Sequence, residues 1–161
     1  LGVAGIAGNL KWGLTMKTPS IAIGGKGKYN YEEFFSGIEG FSESQETVGI
    51  SPEMFAEFVF PYQLPILERF GLNCYGCCEP LHMRWHVARR HHNLRRVSCS
   101  PWVDLEKMAE SLGDGYVFSM KPNPAAISTP EIDEDSIRQD LRRALDITKG
   151  CVVEMMYGMM R

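Results

Sequence analysis

Apolar runs alternate with amphipathic segments from residue 51 onward, and this alternation constrains the fold more than any other feature. The runs predict strands at 72–77, 94–99, 116–120 and 151–155, and the segments between them predict helices at 81–92, 104–112 and 133–148. Strands that alternate with helices form βαβ units and hence a parallel sheet. The sequence therefore predicts an α/β fold with four to five parallel strands. Such a sheet is either open and doubly wound or half of a (β/α)8 TIM-type barrel, which needs about 250 residues when complete.

An additional helix is predicted to begin at Ser51-Pro52, where a capping hydroxyl precedes a proline at the first helical position. Pro61 and Pro65 should kink or split this helix, and Gly71 should end it. Residues 1–50 lack such patterning. They are interpreted as an irregular segment with a possible short strand at 20–23 and a glycine-rich loop at 24–28, which lacks the spacing of a phosphate-binding loop.

Composition excludes several classes of protein. The chain has 161 residues, enough for one domain with a core, and a formal net charge of −3. Its longest basic tract is Arg89-Arg90-His91-His92, which argues against nucleic acid as a partner. No apolar run reaches the length of a membrane span. The chain has five cysteines, two of them adjacent, and no secretory signal is visible in the sequence. These features predict reduced thiols in the cytoplasm.

Several short motifs follow one another in a fixed order between residues 46 and 155. They are Val59-Phe60-Pro61-Tyr62-Gln63-Leu64-Pro65-Ile66-Leu67, Gly76-Cys77-Cys78-Glu79-Pro80, Arg96-Val97-Ser98-Cys99-Ser100-Pro101-Trp102, Leu112-Gly113-Asp114, Tyr116-Val117-Phe118-Ser119 and Lys121-Pro122-Asn123-Pro124. In their order and spacing, these motifs resemble the carboxyl-terminal half of the uroporphyrinogen decarboxylase (URO-D) superfamily. The nearest branch is that of the uroporphyrinogen decarboxylase-like proteins related to corrinoid-dependent methyltransferases.

The resemblance implies that residues 51–161 form the carboxyl-terminal half of a (β/α)8 barrel, with the site at the carboxyl ends of its strands. It further implies methyl transfer to or from a corrinoid (cobalamin) that a separate protein carries. The chain ends at Arg161, just past its last predicted strand and without a covering helix. Because parallel strands are normally covered on both faces, we expect a larger domain, or a second chain that completes the barrel.

Thiols and one carboxylate are the candidate metal ligands. The methyltransferases that this chain resembles hold zinc with a His-x-Cys pair and a later Cys. Here Tyr75-x-Cys77 or Gly76-x-Cys78 stands at the first position, and Glu154 follows in the last strand. Zinc is thus expected at Cys77, Cys78 and Glu154. If the strand continued through Cys78, side-chain alternation would direct only one of the two thiols into the site. Glu154, inside an apolar strand, requires a cation, a metal or a hydrogen-bond donor as its partner.

The remaining candidates follow the ends of the predicted strands. Glu79 is predicted to be catalytic because it lies in the loop after the strand at 72–77. Lys121 and Asn123 are predicted to be catalytic because Pro122 and Pro124 hold the backbone extended at the end of the strand at 116–120. Ser100, Trp102 and His82 are predicted to bind the cofactor. His82 and His86 share one helix face, but the Glu of the metalloprotease motif is absent between them.

Two alternatives to methyl transfer stay open. The first is a carboxy-lyase of the uroporphyrinogen decarboxylase type without metal, which would use Lys121 and Arg84 as basic residues facing the site. The second is a non-catalytic half-barrel that binds a partner.

Overall fold

A computed structural model describes residues 39–156, which form one parallel sheet of five strands in sequential order. The strands are β1 (Glu39–Ser42), β2 (Leu72–Tyr75), β3 (Leu94–Cys99), β4 (Val117–Met120) and β5 (Val152–Met155). The helices are α1 (Pro52–Phe58), α2 (Phe60–Leu67), α3 (Trp85–Ala88), α4 (Leu105–Leu112) and α5 (Glu134–Ile147). Each pair of neighbouring strands is parallel. The predicted α/β class with a parallel sheet is therefore confirmed.

The sheet begins earlier in the chain than the sequence pattern indicates. Strand β1 pairs with β2, although its sequence, Glu-Gly-Phe-Ser, has neither a β-branched residue nor a clear apolar alternation. The pairing with β2 supplies the backbone hydrogen bonds that a four-residue segment cannot form by itself. The possible strand at 20–23 and the glycine-rich loop at 24–28 lie outside the described residues.

The first helical region is split just before Pro61, as predicted, whereas Pro65 lies inside α2 without dividing it. The Ser51 side chain accepts a 3.2 Å hydrogen bond from the Met54 N–H and caps α1. The break falls at Val59, whose φ of −120° is not helical, and Pro61 lies in the first turn of α2. A proline there costs no hydrogen bond, because the first N–H groups of a helix have no partner inside it.

The predicted helix at 81–92 is wrong in its extent. The chain forms a 3₁₀ turn at Leu81–Met83 and then only one helical turn, α3. Between them Arg84 adopts φ −124° and ψ 16°, and its guanidinium donates hydrogen bonds to the loop that follows β1. That tertiary contact outweighs the helical periodicity of the segment.

One face of the sheet carries the hydrophobic core. Tyr75, Val97, Phe118 and Val153 lie in register on β2 to β5, and the first three are fully buried. They share one apolar cluster with side chains from every helix, such as Phe55, Phe60, Trp85, Met108 and Ile147. The helices therefore pack on the same face. Within residues 39–156, no helix is both long enough and apolar enough to cross a membrane.

The opposite face of the sheet carries polar side chains. Cys74, Arg96, Ser98, Ser119 and Glu154 alternate with the core residues along β2 to β5. Ser98 and Ser119 are in register with each other, and both are buried. Among residues 39–156 the helices contribute to the core on the first face, and this polar row lies on the other.

Candidate functional site

The carboxyl edge of the sheet gathers most of the residues that the sequence singled out. Cys77 and Cys78 follow β2, Ser100 and Trp102 follow β3, and Lys121 follows β4. The carboxyl ends of parallel strands meet at one edge, which is where α/β proteins place their binding sites. Backbone contacts tie these ends together, since the Lys121 N–H donates to the Cys99 carbonyl at 2.9 Å.

The two adjacent thiols lie side by side. Strand β2 ends at Tyr75, and Gly76 turns the chain with a φ of +107°. Cys77 and Cys78 therefore lie beyond the strand, where its alternation no longer separates their side chains. Their Sγ atoms are 3.7 Å apart, with Cys77 partly buried and Cys78 exposed. All five cysteines of the chain are free thiols.

Lys121 brings a positive charge to this pair. Its ammonium donates to the Cys77 carbonyl at 3.3 Å and lies 3.7 Å from the Cys77 Sγ. The contact spans 44 residues of sequence and links the ends of β2 and β4. Of the predicted catalytic residues, Lys121 is thus the one that meets the thiols directly through its side chain.

Burial dominates the titration of the thiols around this edge. It raises the pKa of Cys77 above that of an ordinary thiol, and a hydrogen bond with Glu43 adds to the effect, while the Lys121 charge opposes it. Burial likewise raises the pKa of Cys74 to about 12. At neutral pH both groups are therefore protonated thiols.

Glu79 is fully buried and accepts hydrogen bonds from the loops around the thiols. Its Oε2 accepts a 2.8 Å hydrogen bond from the Cys77 N–H, and its Oε1 accepts bonds from the Ser44 N–H and hydroxyl at 3.0 and 3.1 Å. Arg84, predicted as a basic site residue, is also buried, and it donates 2.8 Å bonds to Oγ1 and the carbonyl of Thr47. Both charged groups thus join the loop after β1 to the loop after β2.

Of the three predicted cofactor-binding residues, one side chain is exposed and two form hydrogen bonds within the protein. Trp102 is 65% exposed at the carboxyl edge. Ser100 is buried and donates a 2.9 Å bond to the Glu79 carbonyl. His82 accepts a 3.0 Å bond at Nδ1 from the Asp104 N–H, and burial lowers its pKa. Of the three, Trp102 presents the largest free surface to a ligand.

Asn123, predicted to be catalytic, caps a turn. Its Oδ1 accepts a 3.0 Å bond from the Ala125 N–H at the start of the 3₁₀ turn Pro124–Ile127. The side chain is exposed. Its acceptor oxygen is thus occupied by the backbone, and its amide nitrogen is the group that could meet a ligand.

Glu154 has the cationic partner that its place in an apolar strand requires. Its Oε1 lies 3.3 Å from Nη1 of Arg96, whose Nε lies 3.6 Å from Oε1 of Glu39. One arginine on the central strand thus pairs with carboxylates on both edge strands. Burial raises the pKa of Glu39, the Arg96 charge lowers it, and Glu154 raises it again. The Arg96–Glu154 contact is an ion pair without the alignment of a hydrogen bond.

The predicted zinc ligands are not brought together. Among residues 39–156 no three His, Cys, Asp or Glu side chains converge as a metal site would require. Cys77 and Cys78 are adjacent, but Glu154 lies on β5 and pairs with Arg96. Two thiols alone do not provide the four ligands of a structural zinc site, or the three protein ligands of a catalytic one.

A surface groove lies elsewhere on the molecule. It has a volume of about 770 Å³ and runs between α4 and α5, lined mainly by charged side chains such as Glu106, Arg138 and Arg142. None of the predicted site residues lines it. We place the candidate site at the carboxyl edge, where the thiols meet Lys121, because exposed charges on helices are ordinary solvated surface.

The comparisons with known proteins do not extend this description. No family model, no curated protein and no solved structure matches the chain.

Sequence reasoning missed Ser44 and Thr47 at this edge and Arg96 within the sheet. Ser44 and Thr47 lie in a segment without periodicity, and no signal in the sequence connects them to Glu79 or Arg84. Arg96 carried a usable signal, because it is a charged residue within the strand Leu94–Cys99. The reasoning that demanded a partner for Glu154 applies equally to Arg96.

Proposed function

We propose that this chain is the carboxyl-terminal half of a uroporphyrinogen decarboxylase-like (β/α)8 barrel that takes part in methyl transfer to or from a corrinoid. The observation that carries the proposal is the meeting of two adjacent thiols with the Lys121 ammonium at the carboxyl edge of the sheet. In the methyltransferases that this chain resembles, cysteine thiols are ligands of the zinc at the site. The carboxyl edge is where a barrel of this type holds its site.

The strand order supports the barrel. Doubly wound sheets reverse their strand order at the point where the ligand binds, whereas a barrel adds each strand next to the previous one. Five strands in the order β1 to β5, with helices on one face, follow the second pattern. The polar face with Arg96, Ser98 and Ser119 would then line the barrel interior. Further strands would come from another part of the protein or from a second chain.

The residues of this chain would serve the methyl group in different ways. Cys77 or Cys78 provides the sulfur nearest to the reacting groups, and Lys121 places a positive charge beside it, which partly offsets the rise in the Cys77 pKa that burial and Glu43 cause. Glu79 positions the loop through the Cys77 N–H. Trp102 offers an exposed aromatic surface on which a flat macrocycle can stack.

A corrinoid would be cargo on a partner protein, and it supplies the methyl group or accepts it. Zinc stays a prediction of the resemblance. The donors of residues 39–156 do not fit it, so a zinc ion would need additional ligands from outside this range. The five free thiols support the proposal of a reducing compartment such as the cytoplasm.

The carboxy-lyase alternative loses one of its two basic residues. Arg84 is 4% exposed, and its guanidinium is bonded to Thr47. Of the two basic residues that this alternative requires, Lys121 is the one still placed to meet a substrate at the carboxyl edge. A decarboxylase of this type would have to bind several carboxylates, which favours methyl transfer as the working hypothesis.

The test has an assembly arm and an activity arm. Light scattering determines whether the chain is a monomer, and a stable folded monomer would count against a barrel completed by a second copy. Loss of the methyl group from methylcobalamin, with a small thiol as acceptor, is then followed by absorbance on the assembled species. Cys77→Ser or Cys78→Ser should lower the rate at least about tenfold, an effect of about 1.4 kcal/mol on the barrier. Cys151→Ser is the matched control.

Zinc analysis accompanies these assays. A zinc content that is a small fraction per chain and does not change in the Cys77→Ser, Cys78→Ser double variant would exclude zinc. Rates equal to those without protein, for the wild type in its assembled state, would refute methyl transfer.

A further inference from the structure

The Cys77–Cys78 pair has the arrangement of a chelating dithiol. Its two Sγ atoms are 3.7 Å apart, close enough for a single atom to contact both. Two bonds of about 2.3 Å to one central atom, at a tetrahedral angle, would join sulfurs at about this separation. A linear two-coordinate centre would need the sulfurs farther apart. The spacing therefore suits a bent centre held by both thiols at once.

The backbone of the pair is anchored on three sides. The Cys77 N–H donates to Glu79 at 2.8 Å, the Ser100 hydroxyl donates to the Glu79 carbonyl at 2.9 Å, and Lys121 donates to the Cys77 carbonyl at 3.3 Å. These partners come from the ends of β2, β3 and β4. A ligand that binds both sulfurs thus meets a loop already held in place, which reduces the entropy lost on binding.

A disulfide within the pair is disfavoured by its geometry. Adjacent residues have Cα atoms about 3.8 Å apart across a trans peptide, whereas disulfides usually join Cα atoms about 4.4–6.8 Å apart. An internal bridge would be strained and readily reduced. The pair therefore persists as two thiols that are open to another ligand.

The number of donors decides the class of ligand. Among the described residues no group of three His, Cys, Asp or Glu is placed to hold a metal, and the Glu43 carboxylate beside the pair is hydrogen-bonded to Cys77. Zinc would be left with half of its ligands, while a pyramidal centre that already carries one organic substituent is completed by two thiolates. We propose that Cys77 and Cys78 form a bidentate site for trivalent arsenicals that carry one organic group.

The reaction is a condensation without change of oxidation state. An arsenous species R–As(OH)2 forms two As–S bonds, with Sγ of Cys77 and Sγ of Cys78. Its two As–OH bonds break, and the two thiol protons leave with the hydroxyl groups as two water molecules. Lys121, 3.7 Å from one sulfur, stabilises the negative charge that develops there during the exchange. The site does not depend on methyl transfer, and its test needs no corrinoid.

The probe is phenylarsine oxide, which hydrates to such a species. Titration of the reduced protein, followed by intact mass and peptide mapping, should give one adduct per chain, bridging Cys77 and Cys78. Excess dithiothreitol should reverse it, while an equivalent concentration of a monothiol should not. Cys77→Ser and Cys78→Ser should each weaken binding at least about 100-fold, because the second bond is intramolecular in the wild type.

The controls separate chelation from general thiol reactivity and from loss of folding. Cys151→Ser removes a partly buried thiol elsewhere and should leave the affinity unchanged. Cys78→Ala alters an exposed side chain, and circular dichroism with thermal melting establishes that the variant is folded. The inference is overturned if either single variant keeps wild-type affinity, or if the adduct maps to other cysteines. Protection of the pair by stoichiometric zinc would also overturn it, since the thiols would then belong to a zinc centre.

Discussion

Glu79 and Ser44 are joined by two hydrogen bonds across 35 residues of sequence, and both are almost completely buried. The second carboxylate oxygen of Glu79 holds the Cys77 N–H. One side chain therefore connects the loop after β1 to the loop that carries the thiols. Its acceptors are used within the protein, which gives Glu79 a positioning role at the carboxyl edge.

Glu79→Ala should destabilise the fold by about 3 kcal/mol or more, because each buried donor left without an acceptor costs about 1–3 kcal/mol. Urea unfolding measures the change in free energy. Glu79→Gln keeps one acceptor oxygen and should lie between the wild type and the alanine variant. Glu110→Ala on the exposed face of α4 is the control, expected within about 0.5 kcal/mol of wild type. Equal stability of Glu79→Ala and Glu110→Ala would contradict the role.

Gly76 should tolerate no side chain. Its φ is +107°, and a Cβ there would collide with the Ser98 carbonyl oxygen. Gly150 has a similar φ of +96° but open space around it. Gly150→Ala therefore measures only the cost of placing a side chain on a backbone with positive φ, which is on the order of 1–3 kcal/mol. Gly76→Ala should lower the free energy of unfolding by at least about 2 kcal/mol more than Gly150→Ala does, since the collision adds an overpacking cost. Thermal melting of the two variants in parallel measures this difference, and similar losses would rule out the close approach.

His91 should make the fold sensitive to acid. It is 4% exposed and lies between the rings of Phe60 and Tyr75, each 4.6 Å away, with no hydrogen bond to either of its ring nitrogens. Burial lowers its pKa to about 4. The unfolded chain takes up a proton near pH 6.5 and the folded chain does not. Stability should therefore fall as the pH decreases from about 6.5 to about 4, by about 3 kcal/mol in all.

His91→Phe removes this proton and keeps an aromatic ring in the core. Urea unfolding at pH 7 and at pH 4.5 should show that the difference in stability between variant and wild type shifts in favour of the variant as the pH falls. His86→Gln, at an exposed position of α3, should leave the wild-type pH dependence intact. An unchanged pH dependence in His91→Phe would mean that His91 is protonated in the folded protein.

Arg96→Met should leave two carboxylates, Glu39 and Glu154, without their cation. We expect a loss of about 2–4 kcal/mol at pH 7, less than for a fully buried pair because Arg96 is 18% exposed. The loss should shrink as the pH falls, because Glu39, whose pKa burial raises, takes up a proton and no longer repels Glu154. Arg95→Met on the same strand, whose exposed guanidinium donates to the Gly115 carbonyl, should cost under about 1 kcal/mol. A loss that is independent of pH would indicate packing instead of charge.

The strands and helices that depend on interactions between neighbouring residues were predictable from the sequence. β3 has the predicted bounds, and α4 begins at Leu105 after the Asp104 cap and ends before Gly113. The helix predicted over 81–92 was wrong, because the contacts of Arg84 with Thr47 depend on a loop about 37 residues away. Strand β1 escaped prediction for the same reason, since its structure comes from pairing with β2.

The sequence by itself determined the class of the fold, the carboxyl edge as the place where thiols and Lys121 collect, and the need of Glu154 for a partner. Periodicity, capping residues and prolines act over a few residues, so a single chain displays them directly. The tertiary structure alone decided which groups meet. It ended β2 at Tyr75, which brought the sulfurs of Cys77 and Cys78 together beside Lys121. It also paired Glu154 with Arg96 instead of with the thiols, because the order and register of the five strands set those distances.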